Sequence, residues 1–167
     1  MTDDSMRAAA APSGDYISFS EIGDVLASVD VIAVLAPTLG DNPLRWKWVI
    51  LAAHSAMQGA MVCAYADSAN TSILSERSER KMWAWLNADT ATRGPYPNER
   101  LAEFEGLLRK CLRGFHNCDP LVLTRAQCKD IRRLHQFRNG FTHFTPKGWG
   151  IEKVGLLRII GVAPPGP

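Results

Sequence analysis

The chain of 167 residues is the length of one domain, and a hydrophobic fraction of 46% with 22% charged residues excludes a collagen-like, wholly disordered or disulfide-dense protein. Its formal net charge of +2 excludes a strong field over the whole molecule, so any basic surface is local. The four cysteines, Cys63, Cys111, Cys118 and Cys128, are sparse, and residues 1–15 lack the apolar stretch of a secretory leader. A reducing, cytoplasmic setting is the expectation. A zinc set of Cys111, His116, Cys118 and Cys128 matches none of the usual paired spacings, so no metal is expected.

Residues 1–17 are rich in Ala, Ser, Asp and Pro and read as a flexible N-terminal segment. Ser18 and Glu21 form a capping-box signature. Behind it, Ile22, Val25, Leu26, Val29, Ile32 and Ala33 recur at helical spacing, predicting a buried helical face that ends near Leu35. Asp41 or Asn42, with Pro43 next, marks a second start, and the helix it opens is apolar nearly all round to about Asp67. A helix of that kind belongs at the centre of a bundle. Residues 48–66 include 19 positions without a formal charge, but His54, Ser55 and Gln58 at their middle speak for a bundle interior rather than a membrane.

Residues 68–97 turn polar and irregular, with at most a short helical turn near Met82 and Leu86. Helix resumes at Asn98, burying Leu101, Phe104, Leu107, Leu108 and Cys111 or Leu112 before Gly114 stops it. Thr124 and Gln127 make a second capping box, followed by Ile131, Leu134, Phe137, Phe141 and Phe144. Pro146 ends this helix, and residues 151–160 predict a last short one. The pattern is an all-α, up-and-down bundle of four to five helices over residues 18–160, with a proline-rich tail at 161–167.

Charge departs from the average in one place. Residues 125–147 carry Arg125, Lys129, Arg132, Arg133, Arg138 and Lys147 against the single acid Asp130, a density suited to phosphates. Within this run lies Arg138-Asn139-Gly140-Phe141-Thr142-His143. It resembles the signature of the HEPN superfamily, an arginine followed after four to six residues by a histidine, with a polar residue next to the arginine. The resemblance implies a small helical bundle, commonly a homodimer, acting as a metal-independent ribonuclease in toxin–antitoxin or anti-phage defence systems. It also implies RNA as partner, an antitoxin protein as a further one, and no cofactor. Members whose antitoxin modifies them carry a tyrosine two positions after the histidine, where this chain has Thr145.

Carried onto this chain, the motif makes Arg138, Asn139 and His143 the catalytic set, with Lys129, Arg132, Arg133 and Lys147 holding RNA. At about 100° per residue, Asn139 and His143 lie roughly 40° apart on a helix, whereas Arg138 lies about 140° from His143. One helix therefore does not bring Arg138 and His143 onto one atom, but two copies crossing at a two-fold axis do. The unperturbed pKa of histidine lies near neutrality, which suits His143 to general acid–base work. Arg138 offers a two-pronged fork to a phosphate. The alternative reading keeps the dimer and binds RNA or a partner protein without catalysis. His54 is expected as a hydrogen-bonded interior residue or a cleft lining, and His116 and His135 as exposed. Trp46 and Trp48 are expected in helix packing or at its boundary, and Gly140 at a close helix approach.

Overall fold

The computed structural model describes residues 17–114, 119–143, 148, 150–152 and 155–161. Among the described residues six α-helices follow in order: α1 (Glu21–Leu35), α2 (Arg45–Tyr65), α3 (Glu76–Leu86), α4 (Phe104–Arg113), α5 (Arg125–Thr142) and α6 (Leu156–Ile159). A single 3₁₀ turn, Ala36–Thr38, closes α1. Among the described residues there is no strand, only one isolated antiparallel bridge between Leu74 and Leu101. The architecture is an all-α helical bundle, as the apolar periodicity implies.

The helix ends follow local chemistry. At α5 the Thr124 side chain accepts from the Gln127 backbone N–H while the Gln127 side chain accepts from the Thr124 N–H, which is the capping box read from sequence. At α1 the cap is Ser20, accepting from Gly23 N–H, and not Ser18. At α2 the turn carrying Asn42 and Pro43 comes first, and the helix starts at Arg45. Residues 98–103 are not helical as expected; Leu101 bridges to Leu74 and is exposed, and α4 begins only at Phe104.

The polar excursion holds more order than its composition suggests. Ser75 caps α3, whose 11 residues replace the short turn expected near Met82. Before it, the Asp67 carboxylate accepts from the backbone of Ala69, Thr71 and Ser72 and from the Thr71 hydroxyl. Desolvation opposes its charge, but these hydrogen bonds win and hold the carboxyl below its ordinary value. With its polar groups satisfied, the segment buries Thr71, Ser72, Ile73 and Leu74.

Helix α2 is the centre, packing against α1, α4 and α5. Among the described helices it alone is long and apolar enough to cross a membrane. One cluster joins its C-terminal half, through Met61 and Val62, to Leu107, Leu108 and Cys111 of α4. The other joins Ile50 and Ala53 to Leu134 of α5 and Leu156 of α6. Phe104 stacks on His54 and the Cys111 carbonyl accepts from the Tyr65 hydroxyl, so α4 runs in the same direction as α2. The long connection between them makes that possible.

Helix α1 lies antiparallel to α2, tied by Ser55 donating to Asp24 at one end and Arg45 donating to the Thr38 carbonyl at the other. Its buried face differs from the expected one. Ser28 is buried, with Val25 and Ile32 half-buried, while Ile22, Leu26 and Val29 are 65%, 60% and 49% exposed. The apolar arc of α1 is wider than the contact that one neighbouring helix can cover. Trp46 packs against the core and Trp48 is exposed in the first turn of α2, the two placements expected for this pair.

The α1–α2 approach depends on Gly59. A Cβ there would lie 2.6 Å from Cγ2 of Val25 and 3.7 Å from the Glu21 carbonyl. Alanine gains about 1 kcal/mol of helix propensity over glycine, but overpacking costs roughly 1–3 kcal/mol. Gly59→Ala is therefore expected to lower stability in urea unfolding, and Val25→Ala to relieve it, with a favourable coupling of about 1 kcal/mol in the double-mutant cycle. Additive effects of the two changes would contradict this packing.

Candidate active site

A cavity of about 840 Å³ opens along one face of α2. Leu51, His54, Ser55, Gln58 and Val62 form its floor, spaced by three and four residues so that they share that face. Ser20, Glu21 and Asp24 of α1 form one wall, and Arg138 and Thr142 of α5 form another. Asn70, Glu99 and Leu101 close an end. Asn70 is the one non-glycine residue at positive φ among the described residues, at 53°, a conformation asparagine tolerates better than most.

Arg138, the first residue of the motif, is half-buried and lines this cavity. Among the described residues it makes no ion pair; its Nη1 donates to Asn139 Oδ1 at 3.0 Å. The Asn139 amide nitrogen lies 3.1 Å from His135 Nε2, and His135 Nδ1 lies 2.9 Å from His54 Nε2. A continuous chain thus runs from the guanidinium through Asn139 and His135 to His54, joining α5 to α2. Phe104 of α4 stacks on both imidazoles, with ring centroids 4.3 Å from His54 and 4.7 Å from His135. An aromatic plate on the two rings restricts their rotation and keeps water from their faces.

The electrostatics follow from this enclosure. His54 is 3% exposed. Burial first, then the neighbouring His135 and Arg138, lowers its pKa from 6.5 to about 4. At neutral pH His54 is uncharged, so Arg138 is the one cation facing the cavity among its described lining residues, against Glu21, Asp24 and Glu99.

The other residues named from sequence are placed elsewhere. His143 is exposed at the C-cap of α5, its backbone N–H donating to the Asn139 carbonyl, and it does not line the cavity. Within one chain Arg138 and His143 do not converge, as the helical angle between them requires. Lys129 and Arg132 are exposed, Arg132 facing Glu105 at 3.9 Å, and Arg133 lies over the Phe137 ring. None of the three lines the cavity. Lys147 lies outside the described residues, as do His116, Cys118, Thr145 and the proline-rich tail.

His135, expected exposed, is instead half-buried in the chain of hydrogen bonds. The sequence carries a signal for this: His135 precedes Arg138 by three residues and Asn139 by four, which puts all three on adjacent parts of one face. Its meeting with His54 is not readable in the same way, because 81 residues separate them. His54, expected as a hydrogen-bonded interior residue or a cleft lining, is buried and hydrogen-bonded and also lines the cavity. Among the described residues no group of three or more His, Cys, Asp or Glu side chains is placed to hold a metal ion.

No family model matches this chain, and no curated protein or solved structure matches it. Function therefore rests on the residues of the cavity and the motif.

Proposed function

We propose that the protein is an endoribonuclease of toxin or defence type that works without a metal ion and acts as a homodimer. The observation that carries the reading is Arg138: the motif arginine lines the cavity with no carboxylate partner among the described residues and is held there by a chain that includes two histidines. RNA brings its own nucleophile. Removal of the 2′-hydroxyl proton lets that oxygen attack the adjacent phosphorus, and the 5′-oxygen leaves with a proton, giving a 2′,3′-cyclic phosphate and a 5′-hydroxyl end. Arg138 binds the phosphate and stabilises the extra negative charge that develops on it.

His143 supplies proton transfer from a second copy in this reading, since its own chain holds it away from Arg138. Lys129, Arg132, Arg133 and Lys147 hold the flanking RNA backbone, and Asn139 positions the guanidinium. An antitoxin protein would be the natural restraint on such an activity. The expected result is that purified protein cleaves total RNA in EDTA, leaves cyclic phosphate ends, and elutes as a dimer by light scattering at micromolar concentration. Intact RNA, or a fully active monomer, would overturn this reading.

A second reading has its own support. The exposed row Ile22, Leu26 and Val29 on α1 suits a protein partner, and the exposed His143 needs no catalytic role if the bundle only binds RNA or protein. RNA bound tightly and left intact would favour it.

A further inference from the structure

The hydrogen-bond chain has a direction, set by its charged end. A guanidinium only donates, so the Asn139 atom 3.0 Å from Arg138 Nη1 is its carbonyl oxygen, and the amide nitrogen faces His135. That nitrogen only donates, so His135 Nε2 accepts and carries no proton. The one proton of a neutral His135 then sits on Nδ1 and points at His54 Nε2, 2.9 Å away. His54 Nε2 accepts it, and the proton of a neutral His54 is left on Nδ1.

Nδ1 of His54 has no hydrogen-bond partner among the described residues, although the ring is 3% exposed and lines the cavity. The atom is not sealed off from solvent, so this N–H is a donor open to an acceptor that enters the cavity. The same cavity receives Arg138, which uses one of its five N–H donors on Asn139 and makes no ion pair among the described residues. Burial first, with the Arg138 charge adding to it, keeps His54 neutral, so its N–H is a fixed donor rather than a second cation.

We propose that Arg138 and the Nδ1–H of His54 form a two-point site for a single phosphodiester group, with Asn139 and His135 setting the His54 proton from the arginine. One phosphate is the capacity of the site, since Glu21, Asp24 and Glu99 line the rest of the cavity and repel a second. His54 then touches the phosphate oxygens, and Asn139 and His135 are positioning residues that act through it. The proposal deepens the ribonuclease reading and rests on it for the identity of the ligand, but the site is tested without cleavage.

The test is long-range ¹H–¹⁵N spectroscopy of the uniformly labelled full chain at pH 7. Both His54 and His135 are expected as Nδ1–H tautomers. Addition of a 2′-O-methyl RNA oligonucleotide, which lacks the nucleophile, is expected to shift His54 Nδ1 and not His135 Nε2. In Asn139→Leu the His135 Nε2 is free to take the proton, so both histidines are expected as mixed tautomers and affinity to fall on the order of tenfold, the usual weight of a hydrogen bond to a charged group. A His54 proton on Nε2 in the unchanged protein overturns the proposal. So does an unmoved His54 with RNA bound, or a shift produced by inorganic phosphate and not by the oligonucleotide. A shift with the oligonucleotide in a protein that never cuts RNA supports the site and removes only the ribonuclease reading.

Discussion

Replacing Arg138 by alanine is expected to reduce RNA cleavage by about 10²–10³-fold, the usual effect of removing a group that stabilises developing charge, while the helical circular dichroism signal is kept. The side chain is only half-buried and makes no ion pair among the described residues, so its loss leaves no buried charge uncompensated there. Its work is instead electrostatic: among the described lining residues it is the one cation facing a cavity that holds three carboxylates. Arg138→Lys sharpens the result. Lysine keeps the charge but not the two-pronged geometry, so it is expected to recover phosphate binding in part and cleavage poorly. A comparison of kcat and KM separates the two roles, because loss in kcat at unchanged KM marks an interaction made in the transition state. Undiminished cleavage by Arg138→Ala would remove this residue from the mechanism.

Stability is expected to fall by about 3 kcal/mol between pH 6.5 and pH 4 through His54 alone, a tenfold difference in proton affinity between folded and unfolded chain being worth about 1.4 kcal/mol. Its pKa is near 6.5 in the unfolded chain and about 4 in the fold. Within that window the unfolded state binds the proton and the folded state does not, so stability rises with pH there and is lost as pH falls. Below pH 4 both states are protonated and the contribution stops changing. Burial is the main cause, with His135 and Arg138 adding repulsion. Asp67, whose carboxyl is held below 3.8, loses its own contribution only at lower pH, so the two groups act in separate windows. Urea unfolding across the range checks this. His54→Gln, which can still accept from His135, is expected to flatten the profile between pH 4 and 6.5, and an unchanged slope would contradict the assignment.

The two effects share a cause. The chain from Arg138 to His54 is enclosed by Phe104, and the enclosure that fixes two imidazoles for a ligand also opposes the protonation of His54 in the fold. An acid-sensitive bundle is the physical consequence of packing a titratable ring inside it.

The amino-acid sequence by itself determined the class of fold, the central place of α2, the capping box of α5 and the buried face of α4 at Phe104, Leu107, Leu108 and Cys111. Each of these depends on groups three or four residues apart, whose meeting is dictated by helix geometry alone. It also determined that Arg138 and His143 of one helix stand apart. The tertiary structure decided what no local spacing contains. Among the described residues helix α1 packs chiefly on α2, so Ile22, Leu26 and Val29 stay exposed despite their helical period. Asp67 gathers the backbone of residues 69–72 and turns a polar stretch into buried structure. His54 reaches His135 across 81 residues of chain only because α2 and α5 pack together, and Phe104 covers both only because α4 runs parallel to α2. Periodicity states which face of a helix is apolar; which neighbour covers that face, and which polar side chains then meet beneath it, is set by how the helices pack against one another.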